Sequence, residues 1–462
     1  MSRQSIRNVL RASGNALHGD VAAARLRTPP SLSPFSPIAC SYSSTSSLSS
    51  TSSVTARTRR STTPSSTLSR ALAAHLLPSS CQGHVRLLSS TAPRSADAIN
   101  FTPTSDSQLD TLLEEVHRKI ILPSYLNFES RRKIYNNDYK ERLRTNPITI
   151  DIGGEEHRFS YVNPMEELPN ARVMVHRSIG LMKTPADFEN LPRLLEGLQR
   201  AGRHLRPDDY ARMARLAGER GSIYTIIECA RSVRRTGFHL DQSEVVSEIL
   251  FHLEMKAVES NWDEAQTRQA LAWSEQVLDL LHDENHGRRS QTETAGSIGA
   301  AMLGSTAAVA TRPPPPQLTI PLSRDPQLLA SRLHLAAVVA DKFAEGVDTD
   351  GKVSRYATEL VQLWPAGGKG LRSLHPAEAY QNRRGEMYYL KDPNKFLGIA
   401  SPLLYGLETA IRVLGGSQGD SAALVGELQS RRDALNAEVQ TAVSLVPGRR
   451  GSAIYSKYYG EK

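Results

Sequence analysis

A mainly α-helical, solenoid-like array of helical hairpins with one small β-hairpin is the fold class this sequence predicts. Three observations carry that expectation. Between Asp187 and Ser260, apolar residues recur at helical spacing in four segments, 187–202, 207–219, 222–237 and 241–260. The first and third superpose at an offset of 35 residues: Arg200 falls on Arg235, Gly202 on Gly237, His204 on His239 and Leu205 on Leu240. Leu191 and Leu198 land on Ile226 and Val233 in the same alignment. Only Pro147 to Val162 changes to the alternation of strands, with Ile148, Ile150 and Ile152 before Gly153-Gly154, then Phe159 and Tyr161. A helix-turn-helix unit of this period cannot bury its apolar face alone and stacks on its neighbours.

The N-terminal region has a different composition. Residues 1–96 are rich in Ser, Thr, Ala and Arg. Residues 1–100 contain 11 arginines, no lysine, no glutamate and two aspartates, Asp20 and Asp97. That stretch alone carries +9 of the chain's +8 and leaves the remainder near −1. A basic pI therefore says little about the body, and any nucleic-acid contact has to rest on local patches. The segment from Met1 to Leu26 sets Ile6, Val9, Leu10 and Leu17 against Arg3, Arg7 and Arg11, a basic amphipathic helix of the transit-peptide kind. Arg86-Leu87-Leu88-Ser89 resembles a matrix-processing site. The plain alternative is a disordered Ser-rich tail, as in Ser41 to Ser53. Residues 1–96 are read as a mitochondrial transit peptide without fixed structure, and the matrix as the destination.

Residues 97–186 form a basic helical arm and the hairpin. A helix is predicted over Ser107–Val116, capped by Ser107 or Asp110 and broken at Ile120–Pro123. A second, Glu129–Arg144, carries Arg131, Arg132, Lys133, Lys140, Arg142 and Arg144 with Tyr135 and Tyr139, so it either binds phosphate or is a solvated face. Pro164 to Pro185 is expected to be an irregular connector.

Residues 187–284 form the repeat domain, punctuated by Gly202, Gly221 and Gly237 at helix ends. Ten arginines stand against five acids between Leu191 and Phe238. Arg200, Arg203, Arg231, Arg234 and Arg235 make one face of the stack cationic, and the planar guanidinium suits phosphate. A further helix, Trp262–His282, buries Leu271, Val277, Leu278 and Leu281. Residues 285–325 read as a low-complexity linker ending in Pro313–Pro316. Residues 326–448 form a C-terminal helical domain with helices at 326–345, 352–364, 395–414 and 420–446, the last capped by Asp420. Residues 449–462 are a basic, tyrosine-bearing tail that threads along a partner or, without one, frays.

No catalytic constellation emerges. Gly367-Gly368-Lys369-Gly370 lacks the spacing of a phosphate loop and the strand before it, and Gly415, Gly416 and Gly419 miss the dinucleotide fingerprint for the same reason. Around Asp348, Asp350 and Gly351, a calcium loop would need carboxylates where Gly346 and Ala357 stand. His282 and His286 have helical zinc-pair spacing, but Glu284 is one place too late for the hydrolase motif. Glu114-Glu115, Glu155-Glu156 and Asp208-Asp209 are adjacent pairs that do not face each other on a helix. Gly419-Asp420-Ser421 offers no nucleophile with a histidine partner. Of three cysteines, Cys40 and Cys81 lie in the leader, and Cys229, beside Ile226, Ile227 and Val233, reads as a buried hydrophobe. No metal, cofactor or small-molecule substrate is expected, nor a transmembrane segment, since no apolar run reaches the roughly 20 residues a bilayer requires. The chain is read as a non-enzyme.

The paired helices over Leu191 to Ser260 resemble degenerate pentatricopeptide-repeat units, whose solenoids read single-stranded RNA one base per repeat. Neither unit carries a pair of base-reading positions, which implies a helical adaptor more than a sequence reader. The whole organisation is similar to that of the mitochondrion-specific proteins of fungal mitochondrial ribosomes, with leader, basic arm, helical body and low-complexity insert. That resemblance implies a structural ribosomal component whose partners are mitochondrial ribosomal RNA and ribosomal proteins. The alternatives are a repeat-type RNA-processing or translation factor, and an assembly factor for an inner-membrane complex.

Overall fold

The computed structural model describes residues 98–286, 320–365, 367, 370–383, 385–416 and 421–460, all within the unit Leu87–Lys462. The expected leader, residues 287–319 of the expected linker, and Asp420 lie outside the described residues.

Helix α1 (Ser107–Val116) buries Leu109, Leu112, Leu113 and Val116 along one stripe. Its cap is Asp106, not Ser107 or Asp110: Asp106 has the extended backbone a cap needs and accepts from the Gln108 N–H. The break expected at Ile120–Pro123 is a rewinding. The chain continues as a π turn, His117–Ile121, and a 3-10 turn, Leu122–Tyr125, since Pro123 has no N–H for an α-helical ladder.

The single helix expected over 129–144 is three pieces: α2 (Phe128–Ile134), a 3-10 turn (Asn137–Tyr139) and α3 (Lys140–Thr145). Asn136 interrupts it, because its side chain accepts from the Asp138 N–H and rivals the helical ladder. Strands β1 (Ile148–Ile152) and β2 (Glu155–Phe159) then pair antiparallel, with Ile152 opposite Glu155 and Ile148 opposite Phe159. Gly153 and Gly154 sit at φ 65° and 90°, the two positive angles a tight hairpin turn demands. The hairpin is not left isolated: Ile152 and Phe159 join Leu122, Leu126, Ile134 and Leu143 in a small core of their own.

The predicted connector contains a helix, α4 (Ala171–Leu181), capped by Asn170. Its buried residues, Met174, Val175, Ser178 and Ile179, lie on one face at spacing four, a stripe partly hidden in the sequence by its serine. After the short α5 (Pro185–Phe188), the array runs through α6 (Leu191–Arg200), α7 (Pro207–Glu219), α8 (Ile223–Arg231), α9 (Val233–Thr236), α10 (Ser243–Glu259) and α11 (Glu264–Leu280). It resumes with α12 (Pro326–Phe343), α13 (Lys352–Leu363), the short α14 (Ala377–Gln381), α15 (Pro393–Gly416), α16 (Ser421–Leu445) and α17 (Arg450–Tyr459).

Alternate helices pack in two rows. One row comprises the α1–π segment, α6, α8 with α9, then α11, and α13 with α16; the other comprises α4, α7, α10, α12, α15 and α17. Glu275 of α11 joins Lys352 and Tyr356 of α13 at 2.8 and 2.6 Å, linking the two parts of the first row. Gly202, Gly221 and Gly237 end their helices at φ 67°, 73° and 68°, a backbone state in which side chains crowd the chain. The stacking thus continues from the predicted repeat region into the C-terminal helices. On α16 the buried residues Leu428, Arg431, Leu435, Val439 and Ala442 make one stripe, and its opposite face is polar, as a terminal helix requires.

Two further expectations need correction. Helix α15, 24 residues long, is apolar and long enough to cross a membrane by length and composition. Its apolar window is 72% buried inside the protein, and α10, α12, α13, α16 and α17 surround it. It is accounted for as a core helix. The C-terminal tail does not fray: α17 places Ile454 against Phe251 and Met255, and joins Arg450 to Glu219 at 2.9 Å and Lys457 to Glu259 at 2.7 Å. Tyr458 packs beside Tyr405 and Trp262, whose rings stack 5.7 Å apart.

Candidate nucleic-acid interface

The candidate cations fall into two environments. On the arm, Arg132, Lys140, Arg142 and Arg144 are exposed and Lys133 is half-buried. Arg144, 80% exposed, approaches Glu141 only at 3.7 Å. Among the described residues, Arg132, Lys133 and Arg142 form no ion pair. Lys140 lies over the Tyr161 ring at 5.7 Å. It borders an open groove of about 610 Å³ lined also by Arg144, Arg158 and Asn137. Glu166 and Glu167 line the same groove, so the cationic surface does not extend over the whole arm.

Arg131 differs from its neighbours. Its guanidinium donates to the Ser124 carbonyl at 2.7 Å and the Leu126 carbonyl at 3.2 Å, closing the 3-10 turn where it meets α2. Arg200 lies over the Tyr125 ring at 4.6 Å, joining α6 to the same turn. Arg203 is exposed, and its charge and that of Arg131 act on Tyr135. Burial raises the pKa of the Tyr135 hydroxyl, and those two cations only partly offset it. This is a joint between arm and array.

Within the array the arginines are engaged. Arg231 pairs with Glu228 at 2.6 Å, Arg234 donates to Asn285 at 2.8 Å, and Arg235 reaches Glu196 at 2.7 Å. The sequence marked a continuous cationic face. The structure divides it: Arg231 pairs within its own helix, Arg234 and Arg235 reach other elements, and Arg235 remains 68% exposed and Arg231 49%.

Other polar side chains organise the stack through partners distant in sequence. Buried Asp209 accepts from Arg172 at 2.8 and 2.9 Å and from the Arg206 N–H, and meets His176 at 2.6 Å. Burial alone would raise its pKa, but these bonds hold its carboxyl below the usual range. Arg220 donates to the carbonyls of Ile179, Gly180 and Met182, satisfying the C-terminal end of α4. Arg431 does the same for Val361 and Trp364 at the end of α13. Asp187 and Asn190 clamp the chain entering α1: Asp187 accepts from Ser105, and Asn190 both accepts from and donates to Thr102. Arg158 of β2 also borders the groove, away from the basic runs of α2 and α3.

The rejected motifs have structural roles. Asp348 accepts from the Val353 and Ser354 N–H groups at the start of α13. His286 is buried and accepts from the Leu240 N–H, while His282 is exposed, so the two face different surroundings. Cys229 is fully buried, and burial pushes its thiol pKa far up. Gly368, Lys369 and Gly419 lie outside the described residues.

Two comparisons bear on most of the chain. Residues 86–459 match the family described as mitochondrial ribosomal protein mS27. The small ribosomal subunit protein mS27 of Neurospora crassa is 36% identical over 391 residues, an alignment that covers 82% of this chain and 93% of that relative.

Proposed function

Since the chain belongs to the mS27 family of mitochondrial ribosomal proteins, we propose that it is a constitutive, non-enzymatic component of the small ribosomal subunit in the mitochondrial matrix. It contacts ribosomal RNA through the arm and neighbouring ribosomal proteins through the helical rows. The single observation that supports this division is the contrast in cation use. Arg132, Lys140, Arg142 and Arg144 stand exposed on the arm without a close acidic partner, while Arg231, Arg234 and Arg235, also exposed, are held by Glu228, Asn285 and Glu196. Exposed cations lose little solvation when they meet phosphate and release counterions from it. Arg200 holds the array to the arm at Tyr125 and Arg131 closes the turn beside it, and Arg203 and Lys133 flank the phosphate-facing surface.

The pentatricopeptide-like character belongs to the same reading. Arg200 and Arg235, equivalent across the repeat offset, meet a tyrosine ring and a glutamate respectively. Neither is set to read a base, and the units serve as a scaffold.

Sedimentation of a mitochondrial lysate on a gradient, with magnesium and then with chelator, tests the proposal. The protein is expected to travel with the small subunit in both conditions and to stay with it in high salt. Migration at the top of the gradient would refute it and leave the transient RNA factor or the inner-membrane assembly factor.

A further inference from the structure

We infer, on the footing that the arm faces RNA as proposed above, that the groove beside α3 holds one unpaired guanine nucleotide. Its phosphate meets Lys140, Arg144 and Arg158, and its base meets Tyr161 and Glu167. Two short segments build the groove. Lys140, Leu143 and Arg144 stand at helical spacing on α3 and share one face. Strand β2 brings Arg158, and the chain leaving it brings Tyr161, Asn163, Glu166 and Glu167 to the same place. That second segment is fixed: the Val162 N–H donates to the Ile134 carbonyl at 2.9 Å, and the Glu167 N–H to the Asn163 carbonyl at 2.9 Å.

Shape and charge separate this groove from a plain phosphate-binding surface. Its volume of about 610 Å³ lies within the range of roughly 300–1,000 Å³ found for small-ligand sites. Buried Leu143 and half-buried Pro147 and Tyr161 give it an apolar lining. Tyr161 packs against the arm's small core, and the Lys140 ammonium lies over its ring at 5.7 Å. An exposed lysine on a flexible stem can leave that ring for a phosphate. A base then takes the ring, because unpaired bases stack on aromatic side chains. The other two cations are loosely committed, Arg144 approaching Glu141 at 3.7 Å and Arg158 approaching Glu156 at 3.9 Å.

The carboxylates select the base. Glu166 and Glu167 repel phosphate, so a surface built for backbone alone gains nothing from them. Glu166 is already engaged: Asn163 Nδ2 donates to it at 3.0 Å, while Asn163 Oδ1 accepts from the Met165 N–H at 3.1 Å. The Glu167 carboxylate is exposed and forms no ion pair or side-chain hydrogen bond among the described residues. Its two oxygens suit two parallel N–H donors, as they suit an arginine fork. Guanine offers that pair, N1–H and N2–H, on its Watson–Crick edge. Adenine presents one amino group there, and uracil presents one N–H between two carbonyls that a carboxylate repels. In a duplex this edge is already paired, so the nucleotide has to be unpaired.

The test measures fluorescence anisotropy of labelled RNA heptamers with the full chain. The heptamers are uridine throughout except for guanosine, inosine, adenosine or uridine at the centre, and a fully paired RNA duplex is measured alongside. The arginines of the N-terminal region are common to every measurement and cancel in the comparison. The guanosine heptamer is expected to bind at least about fivefold tighter than the adenosine and uridine heptamers. Inosine, which lacks the N2 amino group, should lose most of that preference. Glu167→Gln should erase the preference and leave the uridine heptamer and the duplex bound at least as tightly as before. Equal affinity for all four centres, or a guanosine preference that survives Glu167→Gln, would overturn the guanine site. The arm would still stand as the phosphate-facing surface if changing Arg132, Lys140, Arg142 and Arg144 to Gln weakened duplex binding. Duplex binding unmoved by that fourfold change would overturn both.

Discussion

Arg235 on α9 and Glu196 on α6 meet at 2.7 Å across the repeat interface. A cation that looks available for phosphate in the sequence thereby links successive helices of one row. The pair is exposed on its arginine side, 68% against 19% for the glutamate. Its contribution to stability is therefore at most about 1 kcal/mol. Its effect on function is a matter of which charges remain for RNA.

Changing Arg132, Lys140, Arg142 and Arg144 together to Gln is expected to weaken binding to small-subunit ribosomal RNA. The slope of log affinity against log salt should fall by roughly three if all four meet phosphate. The matched change of Arg200, Arg231, Arg234 and Arg235 should move that slope by less than about one, while lowering the unfolding midpoint slightly. Filter binding over a salt series with both variants decides it. Equal slopes would show that the arm is not the phosphate-facing surface.

Glu254 on α10 and His334 on α12 form a buried contact of 3.0 Å between consecutive helices of the other row. Burial raises the pKa of the Glu254 carboxyl, and the bond to His334 draws it partly back. His334→Leu leaves that carboxyl without its partner and should cost about 3–5 kcal/mol. Adding Glu254→Leu should recover most of the loss, because two apolar residues remove the stranded polar group as well as the bond. Urea unfolding of the wild type, the single variants and the double variant supplies the cycle. A neutral His334→Leu would mean the contact is not closed in solution.

How much of this was legible in the sequence depends on whether a side chain's partner is local. The helical stretches around the 35-residue offset, the Gly153-Gly154 turn and α16 were readable because periodicity and turn chemistry are properties of neighbouring residues, although 187–202 divides into α5 and α6 and 222–237 into α8 and α9. Helix α4 was obscured by Ser178, which sits in its buried stripe, and the basic helix was overdrawn because one asparagine, Asn136, breaks it. The site was less legible. Nothing local to Arg220 says that it closes α4, some forty residues upstream, and nothing near Arg235 announces Glu196. Charge is visible in a sequence, but whether it is already paired depends on contacts the fold creates.

Asp325 caps α12 from a buried position, accepting from the Gln327 N–H, with His375 at 3.7 Å. Burial raises its pKa to about 7 and lowers that of His375 to about 4. A carboxyl raised in the folded state stabilises fully below its unfolded value and loses that contribution as pH rises toward 7. A histidine lowered in the folded state costs stability as pH falls from its unfolded value toward 4. Asp325→Asn keeps a capping oxygen and removes the charge. It should therefore raise stability above pH 7, by an amount on the order of a few kcal/mol, with much less change near pH 5. Thermal unfolding from pH 5 to 9 would show the two curves separating at the alkaline end. Parallel curves would mean that water reaches the Asp325 carboxylate.

The C-terminal helix offers the sharpest contrast between composition and structure. Its arginines, lysine and tyrosines suit either a free tail or an ordered helix, and the difference lies in Ile454, 7% exposed between Phe251 and Met255. The ion pairs Arg450–Glu219 and Lys457–Glu259 are largely solvated and add little. Docking therefore depends on the apolar contact and on Tyr458 against Trp262 and Tyr405. Ile454→Ala should cost about 2 kcal/mol or more. It should also make Arg449, Arg450 and Lys457 cut sites for trypsin at a rate at least tenfold above that of the wild type, while the rest of the array stays resistant. Arg450→Gln should leave that rate within about twofold, since an exposed pair is worth less than 1 kcal/mol. If Ile454→Ala and the wild type were both digested rapidly, the helix would be detached in both, and α15 would have to present an uncovered apolar face to solvent or to a neighbouring protein; if both resisted equally, Ile454 would not hold the helix.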